Sequence, residues 1–339
     1  MSPNSLLDQL LEESLPAEVR KERLADLSRQ LRHICDAADE QAFRMVVLRA
    51  ARIAESKGNI EVADGLTAAA MRDSSWLVTP GALEACYSRG APLHVTVQDG
   101  PPVDEAIEAE LDKVSVPVGP ELEAKYRFTA MRCERGALAV TLAPTTWASA
   151  KKFHTLVQHD PAWASKLPDG TWLTPLPFGD RLLPGIAVVH AIIMTSDDKV
   201  IAARRSAQVG YAPERWSLSF EEQVNGSDVG RKEDAFTAAA RRGFTEEFGC
   251  ELPAQHVALL TTVMQIDLLN LGIVALLRSS MTAQEICSSW RSVAKDRWEA
   301  TEVRGLPLDD LDAGLASLGL LHPSSEFRRL ALRRWQATP

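Results

Sequence analysis

Two adjacent glutamates, Glu246 and Glu247, are the side chains whose type and position most strongly indicate chemistry in this sequence. They stand near the end of an alanine-rich stretch that runs from Asp234 to Gly249. Neighbouring carboxylates at the end of a helix repel one another and meet the negative end of the helix dipole. A hard divalent cation such as Mg²⁺ would cancel that repulsion, because it prefers oxygen ligands. The alternative is an ordinary amphipathic helix that carries two acids near its end.

The residues around this acid pair predict a helix. Alanine has a high helix propensity, and Phe236, Ala239, Ala240 and Phe244 recur at helical spacing, which gives the helix one face to bury. Gly249 is suited to the left-handed conformation that commonly ends a helix. We therefore expect a packed helix that presents both glutamates in its last turn.

This stretch resembles the signature of the Nudix family. That signature reads Gly, five residues, Glu, seven residues, Arg-Glu, an aliphatic residue, any residue, Glu-Glu, any residue, Gly and an aliphatic residue. The sequence from Arg242 to Cys250 matches its end, with Glu246, Glu247 and Gly249 in place.

The sequence departs from the signature in three places, two in its earlier part and one next to Arg242. Asp234 stands where the family has its first Glu, and Asp228 stands where it has its first Gly, although Gly226 and Gly230 lie close. The most serious departure is Gly243, because the family has there a Glu that is usually a metal ligand and in some members the base. The motif is therefore degenerate.

The resemblance implies a hydrolase that cleaves the pyrophosphate of a nucleoside diphosphate linked to another moiety. Mg²⁺ or Mn²⁺ would bind the pyrophosphate, neutralise its charge and activate water. The implied catalytic residues are Glu246, Glu247 and Arg242, the last of which would hold an acid in place. The implied metal ligands are Glu246 and Glu247, with Glu222 as a spare ligand.

The alternative is a catalytically impaired module on the same fold. Gly243 removes a carboxylate, and the loss of a catalytic base costs about 10²–10⁴-fold in rate. In a working enzyme the missing acid would come from Glu222 or Glu302; in the impaired module the site would bind a nucleotide ligand or a protein partner and signal through the N-terminal helical domain. A bulky side chain at position 243 is expected to collide with a ligand or a strand.

Two strands before this helix bring further candidates to the site. The segment 185–194 predicts a buried strand, and the segment 199–205 its return strand, which ends in Arg204 and Arg205. In the resembled family an arginine commonly ends this strand, so both are expected to bind substrate, since a guanidinium matches phosphate oxygens. The alternative is a solvated strand end.

The loop that follows this strand pair resembles the family's segment Trp, aliphatic, Pro-Gly-Gly. Trp216 agrees with it and is a further expected substrate-binding residue, whereas Ser219 and Phe220 stand in place of glycines. Glu222, which follows, is either the spare metal ligand or part of an exposed charge pair. Later in the chain, Glu299 or Glu302 would lend another carboxylate or be a surface acid.

The length of 339 residues favours more than one domain. Apolar residues at helical spacing predict a helical bundle over residues 1–75, and prolines and glycines indicate a connector or irregular lobe over residues 76–125. Residues 126–339 are expected to form the Nudix-like domain. The predicted fold class is α/β (α+β), a mixed-sheet α/β/α sandwich of Nudix type preceded by a small helical bundle.

The overall composition limits partners and compartment. The net charge of -9 argues against general binding to nucleic acid or to anionic membranes. The sequence contains no apolar run of about 18 residues, so no membrane span is predicted. The five scattered cysteines and the absence of a signal-peptide pattern indicate a cytoplasmic protein with reduced thiols. A homodimer or a protein partner bound through residues 1–75 is a further expectation.

Overall fold

The computed structural model describes residues 76–78, 93–100, 103, 105–116, 124–134, 137–159, 184–265, 270–322 and 324–337. The helical bundle predicted for residues 1–75 lies outside this part of the chain and stays a prediction. Among the described residues, no helix has both the length and the apolar character needed to cross a membrane.

The described residues form strands and helices in the mixed order expected of an α/β domain. The strands are β1 (Trp76–Val78), β2 (Leu93–Val97), β3 (Lys125–Glu134), β4 (Ala137–Thr145), β5 (Val188–Met194), β6 (Lys199–Arg205), β7 (Trp216–Leu218), β8 (Glu221–Gln223), β9 (Val257–Gln265), β10 (Asn270–Arg278) and β11 (Ala300–Pro307). The helices are α1 (Glu105–Leu111), α2 (Trp147–His159), α3 (Ala235–Phe248), α4 (Ala283–Val293), α5 (Leu311–Ala316) and α6 (Ser324–Ala337).

A mixed sheet of eight strands forms the centre of the domain. Its order is β1-β9-β10-β5-β6-β11, with β7 paired to β6 and β8 paired to β5. The central pair β5 and β10 is parallel, and the other pairs are antiparallel. The predicted mixed sheet is therefore confirmed.

Alternation along the central strands divides the core between two faces of this sheet. Val189, Ala191 and Ile193 of β5 lie in one apolar cluster, which also contains buried residues of α3 and α4. Ile192 lies in a second cluster, together with buried residues of α5 and α6. Successive side chains of a strand point to opposite faces, so the apolar segment predicted from the sequence is buried on both sides. The helices on both faces confirm the predicted α/β/α sandwich.

The described part of segment 76–125 joins the sheets of the domain, where a connector or irregular lobe was expected. β1 pairs with β9 at the edge of the main sheet. β2 pairs in parallel with β4, which forms the predicted hairpin with β3. This smaller sheet packs towards α3, where the rings of Phe128 and Phe236 stack with centroids 5.4 Å apart. Pairing between strands distant in sequence gives no local signal, which explains the difference.

A buried arginine fastens the last helix to the main sheet. Arg328 of α6 is fully buried and donates to the Glu221 carboxylate (2.8 Å), to Ser217 Oγ (3.1 Å) and to the carbonyl oxygens of Ala191 (3.3 Å) and Leu218. Burial lowers the pKa of Arg328 to about 10, so the guanidinium still carries its charge at neutral pH. Glu221 therefore has its counter-charge inside the core.

Replacing this arginine is expected to destabilise the domain strongly. Arg328→Met leaves Glu221 without its buried partner and should lower the free energy of unfolding by about 3–5 kcal/mol. The control is Arg333→Met on the same helix, because Arg333 is 52% exposed and pairs with Asp312 at the surface. That change should cost at most about 1 kcal/mol. Urea unfolding measures both, and equal losses in the two variants would contradict the assignment.

Candidate functional site

The helix that carries the acid pair is formed and capped as predicted. Asp234 is its N-cap, and the Asp234 carboxylate accepts from the backbone N–H groups of Phe236 and Thr237 at 3.0 and 2.9 Å. Gly249 ends it in the left-handed region with φ 67°. The predicted face is buried, because Phe236 and the other three residues expected there are fully buried. Asp234 thus caps the helix and does not reach Arg242.

Arg242 of this helix contacts other protein groups through all three of its side-chain nitrogens. Nε and Nη2 bind the two carboxylate oxygens of Asp228 at 3.0 and 2.9 Å, and Nη2 also binds the Gln223 carbonyl oxygen at 2.8 Å. Nη1 lies 3.0 Å from Glu246 Oε2 and 3.1 Å from Glu222 Oε1. Each of these nitrogens is therefore already bound by the protein itself, through four hydrogen bonds and a further ion pair. The acid that Arg242 holds in place is therefore Asp228, at the position where the resembled signature has glycine.

The space beside Gly243 is filled by two residues of the preceding strand and loop. A Cβ atom at position 243 would lie 2.4 Å from Cε2 of Phe220 and 3.0 Å from Oε2 of Glu222. Phe220 is buried and packs against Phe248 of the same helix, with centroids 5.9 Å apart. A larger side chain at this position was expected to meet a ligand or a strand, and the group nearest to it is instead the Phe220 ring, which follows β7. A glutamate at 243 has no room in this packing.

The two glutamates of the acid pair have different surroundings. Both oxygens of Glu246 are in ion pairs, one with Arg242 and the other with Lys295 at 3.2 Å. Glu247 is half-buried and faces the charges of Glu222, Glu299 and Arg205. Glu246 is therefore balanced by cations, whereas Glu247 faces mainly other acids, although both lie near Glu222 and Glu299.

The pKa values of Glu247 and of two neighbouring carboxyls are all raised. Burial raises the pKa of Glu222 to about 7, against the charge of Arg242. Burial, followed by the charges of Glu299 and Glu222, raises the pKa of Glu247 well above 4.5. Burial also raises the pKa of Glu299. These carboxyls favour their protonated forms more than exposed acids do.

The residues expected to hold Mg²⁺ or Mn²⁺ are Glu222, Glu246 and Glu247, and their donor atoms do not fit that ion here. Glu246 is neutralised by two cations, and position 243 contributes no carboxylate. Within the described parts of the chain, no three His, Cys, Asp or Glu side chains are grouped so that they could hold a metal ion.

The three residues expected to bind substrate lie apart. Arg205 acts by its charge on Glu247 and Glu299, and its Nε donates to the Tyr211 carbonyl oxygen at 3.1 Å. Arg204 and Trp216 instead line a cavity together with Glu302. Consecutive residues of β6 point to opposite faces, which explains the separation. The structure thus places Arg205 with the acids, and Arg204 and Trp216 elsewhere; their binding roles stay predictions.

Two contributors to this site were not predicted for the parts they play. Asp228 pairs with Arg242 because the loop after β8 folds back, and Phe220 occupies the space above Gly243. The sequence did contain a signal for the second. Relative to the resembled signature, Phe220 is larger than the glycine expected at its position, and Gly243 is smaller than the glutamate expected at its own. Changes of opposite size within one motif indicate that the two positions touch.

Comparison with known proteins gives a resemblance in fold only. No protein-family model matches the chain, and no curated protein is similar to it at a significant level. Matching solved structures include the protein DR0079 from Deinococcus radiodurans, with 21% identity, 44% of this chain and 82% of the other covered, and a TM-score of 0.32. A MutT protein from Methanosarcina mazei Go1 matches with 14% identity, 45% and 94% covered, and a TM-score of 0.30.

A third match is the Nudix domain of NrtR from Shewanella oneidensis in complex with ADP-ribose. It has 16% identity, covers 44% of this chain and 87% of the other, and has a TM-score of 0.30. Likeness at this level carries no argument about chemistry. The fold class rests on the sheet order and the flanking helices of the chain itself.

The packing at position 243 predicts opposite effects of the same substitution in two helices. Gly243→Ala places a methyl group against the Phe220 ring and should lower the free energy of unfolding by about 1–3 kcal/mol. The control is Gly314→Ala in α5, where the nearest atom to the new Cβ is 3.4 Å away. Alanine should stabilise that helix by up to about 1 kcal/mol.

Denaturant unfolding of the two variants measures these effects. A combined Phe220→Ala and Gly243→Ala variant should lose less stability than the sum of the single losses, because the two side chains share one space. Additive losses would show that Phe220 is not what excludes a side chain at 243.

The raised pKa of Glu222 predicts a pH-dependent stability. The folded protein holds this proton up to about pH 7, whereas the unfolded chain releases it near pH 4.5. The folded state therefore binds more protons between these values, and stability falls as the pH rises from about 4.5 to 7. Glu222→Gln should flatten this slope in urea unfolding between pH 5 and 8, and the exposed Glu251→Gln should not. An unchanged slope in Glu222→Gln would contradict the shift.

Proposed function

We propose that this domain binds a nucleoside diphosphate derivative and does not hydrolyse it at an enzymatic rate. This is the impaired-module alternative of the sequence interpretation, on a fold that resembles the Nudix family. The observation that carries it is the Phe220 ring beside Gly243, 2.4 Å from where a Cβ would lie. The packing leaves no space for the acid that the family uses there.

The rest of the metal-binding arrangement is also occupied by the protein itself. Arg242 forms ion pairs with the carboxylates of Asp228, Glu222 and Glu246. Lys295 forms an ion pair with the second oxygen of Glu246. Removing these interactions to free ligands for Mg²⁺ would leave a half-buried arginine without its partners, which is unfavourable. The geometry therefore supports a structural role for Glu246.

The ligand-binding part of the proposal rests on Arg205 and on the acids around it. Arg205 supplies a guanidinium that matches phosphate oxygens. Glu247 favours its protonated form through burial and the charges of its neighbours, and a protonated carboxyl donates a hydrogen bond. Together, Arg205 and Glu247 would bind an anionic group through hydrogen bonds and one positive charge, without a bridging metal ion.

The test uses the full-length protein with ADP-ribose and UDP-glucose, each with and without Mg²⁺. Isothermal titration calorimetry measures binding, and chromatography of the nucleotides measures turnover. We expect binding that does not require Mg²⁺, and no turnover above the uncatalysed rate. Arg205→Gln should weaken binding about tenfold, since one charge-assisted phosphate contact is lost. The matched control is Arg278→Gln, at the exposed end of β10.

Two results would overturn this proposal. Mg²⁺-dependent turnover that Glu247→Gln abolishes would identify a working metal-dependent hydrolase. Binding that Arg205→Gln and Arg278→Gln affect equally would separate the ligand from this site.

A further inference from the structure

The cavity that Arg204, Trp216 and Glu302 line is on the face of the main sheet that α5 and α6 cover. Its volume is about 320 Å³, which is within the range of small-molecule sites. Strands β6, β7 and β11 and the segment before α6 contribute its walls. The lining residues that matter for binding are Arg204, Glu214, Trp216, Glu302, Arg304 and Leu320.

The feature of this cavity that most suits a flat ligand is a guanidinium above an aromatic ring. Arg304 lies over Trp216 with its Cζ atom 5.1 Å from the ring centroid, and it also pairs with the Glu302 carboxylate. Trp216 is buried below, whereas the Arg304 side chain is 52% exposed. The guanidinium thus lies over the buried indole, and both residues line the cavity. A guanidinium is planar, so it offers a surface on which a flat heterocycle stacks.

A second arginine lies on the neighbouring strand. Arg204 is the residue opposite Trp216 in the pairing of β6 with β7 and opposite Glu302 in the pairing with β11. Its Nε donates to the Glu214 carbonyl oxygen at 3.3 Å. That single contact fixes the direction of the side chain and uses one of its five donors, so its terminal nitrogens are suited to a phosphate.

The loop that holds Arg204 in place has a strained backbone. Ala212 and Glu214 have positive φ angles of 44° and 61°, which side chains larger than glycine rarely adopt. Strain of this kind is concentrated at ligand sites, where the surrounding structure maintains it. Here it turns the Glu214 carbonyl towards Arg204.

An exposed leucine completes the wall. Leu320 is 72% exposed, although it is a large apolar side chain. The Leu320 carbonyl oxygen accepts a hydrogen bond from the backbone N–H of Trp216 at 2.9 Å, which joins the segment before α6 to β7. Leu320 thus adds an apolar side chain beside the Arg304 guanidinium and the acidic residues Glu214 and Glu302. This combination suits a ligand that is flat, partly apolar and rich in N–H donors.

We propose that this cavity binds the aminopurine part of a nucleotide. The base stacks on the outer face of the Arg304 guanidinium, under Leu320. Its amino group donates to the carboxylates of Glu214 and Glu302, and its phosphate meets Arg204. This site is separate from the acids around Glu247, so it goes beyond the function proposed above and does not depend on it.

The experiment titrates the full-length protein with AMP, adenosine, UMP and ribose 5-phosphate by calorimetry. AMP and adenosine should bind, whereas UMP, which has no amino group, should bind about tenfold more weakly than AMP. Ribose 5-phosphate should not bind at the same concentrations. Arg304→Gln and Arg304→Lys should both weaken AMP and adenosine about tenfold, because lysine keeps the charge and loses the plane.

Arg204→Gln provides the sharper readout. It should weaken AMP about tenfold and leave adenosine unchanged, since only AMP has the phosphate. Arg278→Gln is again the matched control, and thermal unfolding confirms that each variant is folded. The proposal fails if AMP and ribose 5-phosphate bind alike, if both Arg304 variants bind AMP as the wild type does, or if Arg204→Gln weakens adenosine as much as AMP. It also fails if AMP binds in Arg278→Gln as weakly as in Arg304→Gln. Loss of AMP binding only in Arg205→Gln would assign the nucleotide to the other site.

Discussion

The Arg242 guanidinium is the interaction on which the geometry of the candidate site depends. It joins α3 to β8, through Glu222 and the Gln223 carbonyl oxygen, and to the following loop, through Asp228. These partners come from a strand and from the loop that follows it, and each would be costly to bury without a counter-charge or a donor. The same contacts that stabilise the helix on the sheet also fix the direction of Glu222. A structural ion network therefore decides which carboxyls remain for a ligand.

Neighbouring residues of β8 have different partners, because successive side chains of a strand point to opposite faces of the sheet. Glu221 faces α6 and has the charge of Arg328, whereas Glu222 faces α3, where burial raises its pKa to about 7. Two acids that look like an exposed pair in the sequence thus have unrelated roles. Consecutive residues of β6 differ in the same way: Arg204 lines one cavity, whereas the charge of Arg205 acts on Glu247 and on Arg328.

The sequence predicted best what local residues determine. The helix of Phe236 and Phe244, its cap at Gly249 and the alternating strands depend on propensity and periodicity, and the structure has them where they were expected. The parallel pairing of β2 with β4 and the burial of Arg328 depend on segments that are distant along the chain, so no local pattern reports them. At the site, the family resemblance identified the acids but not the contacts that occupy them. The partner of Arg242 is Asp228 because of the path of a loop, which residue spacing does not determine.

The fit between Phe220 and Gly243 has a consequence for how this chain can change over evolutionary time. A side chain at 243 is excluded while the ring is present, and removal of the ring alone leaves a hole in the core. Either single replacement therefore lowers the stability of the fold before the other can compensate, so the effects of the two positions are not independent. A lineage that reached this pair would seldom revert one step at a time, and descendants should retain or exchange both residues together.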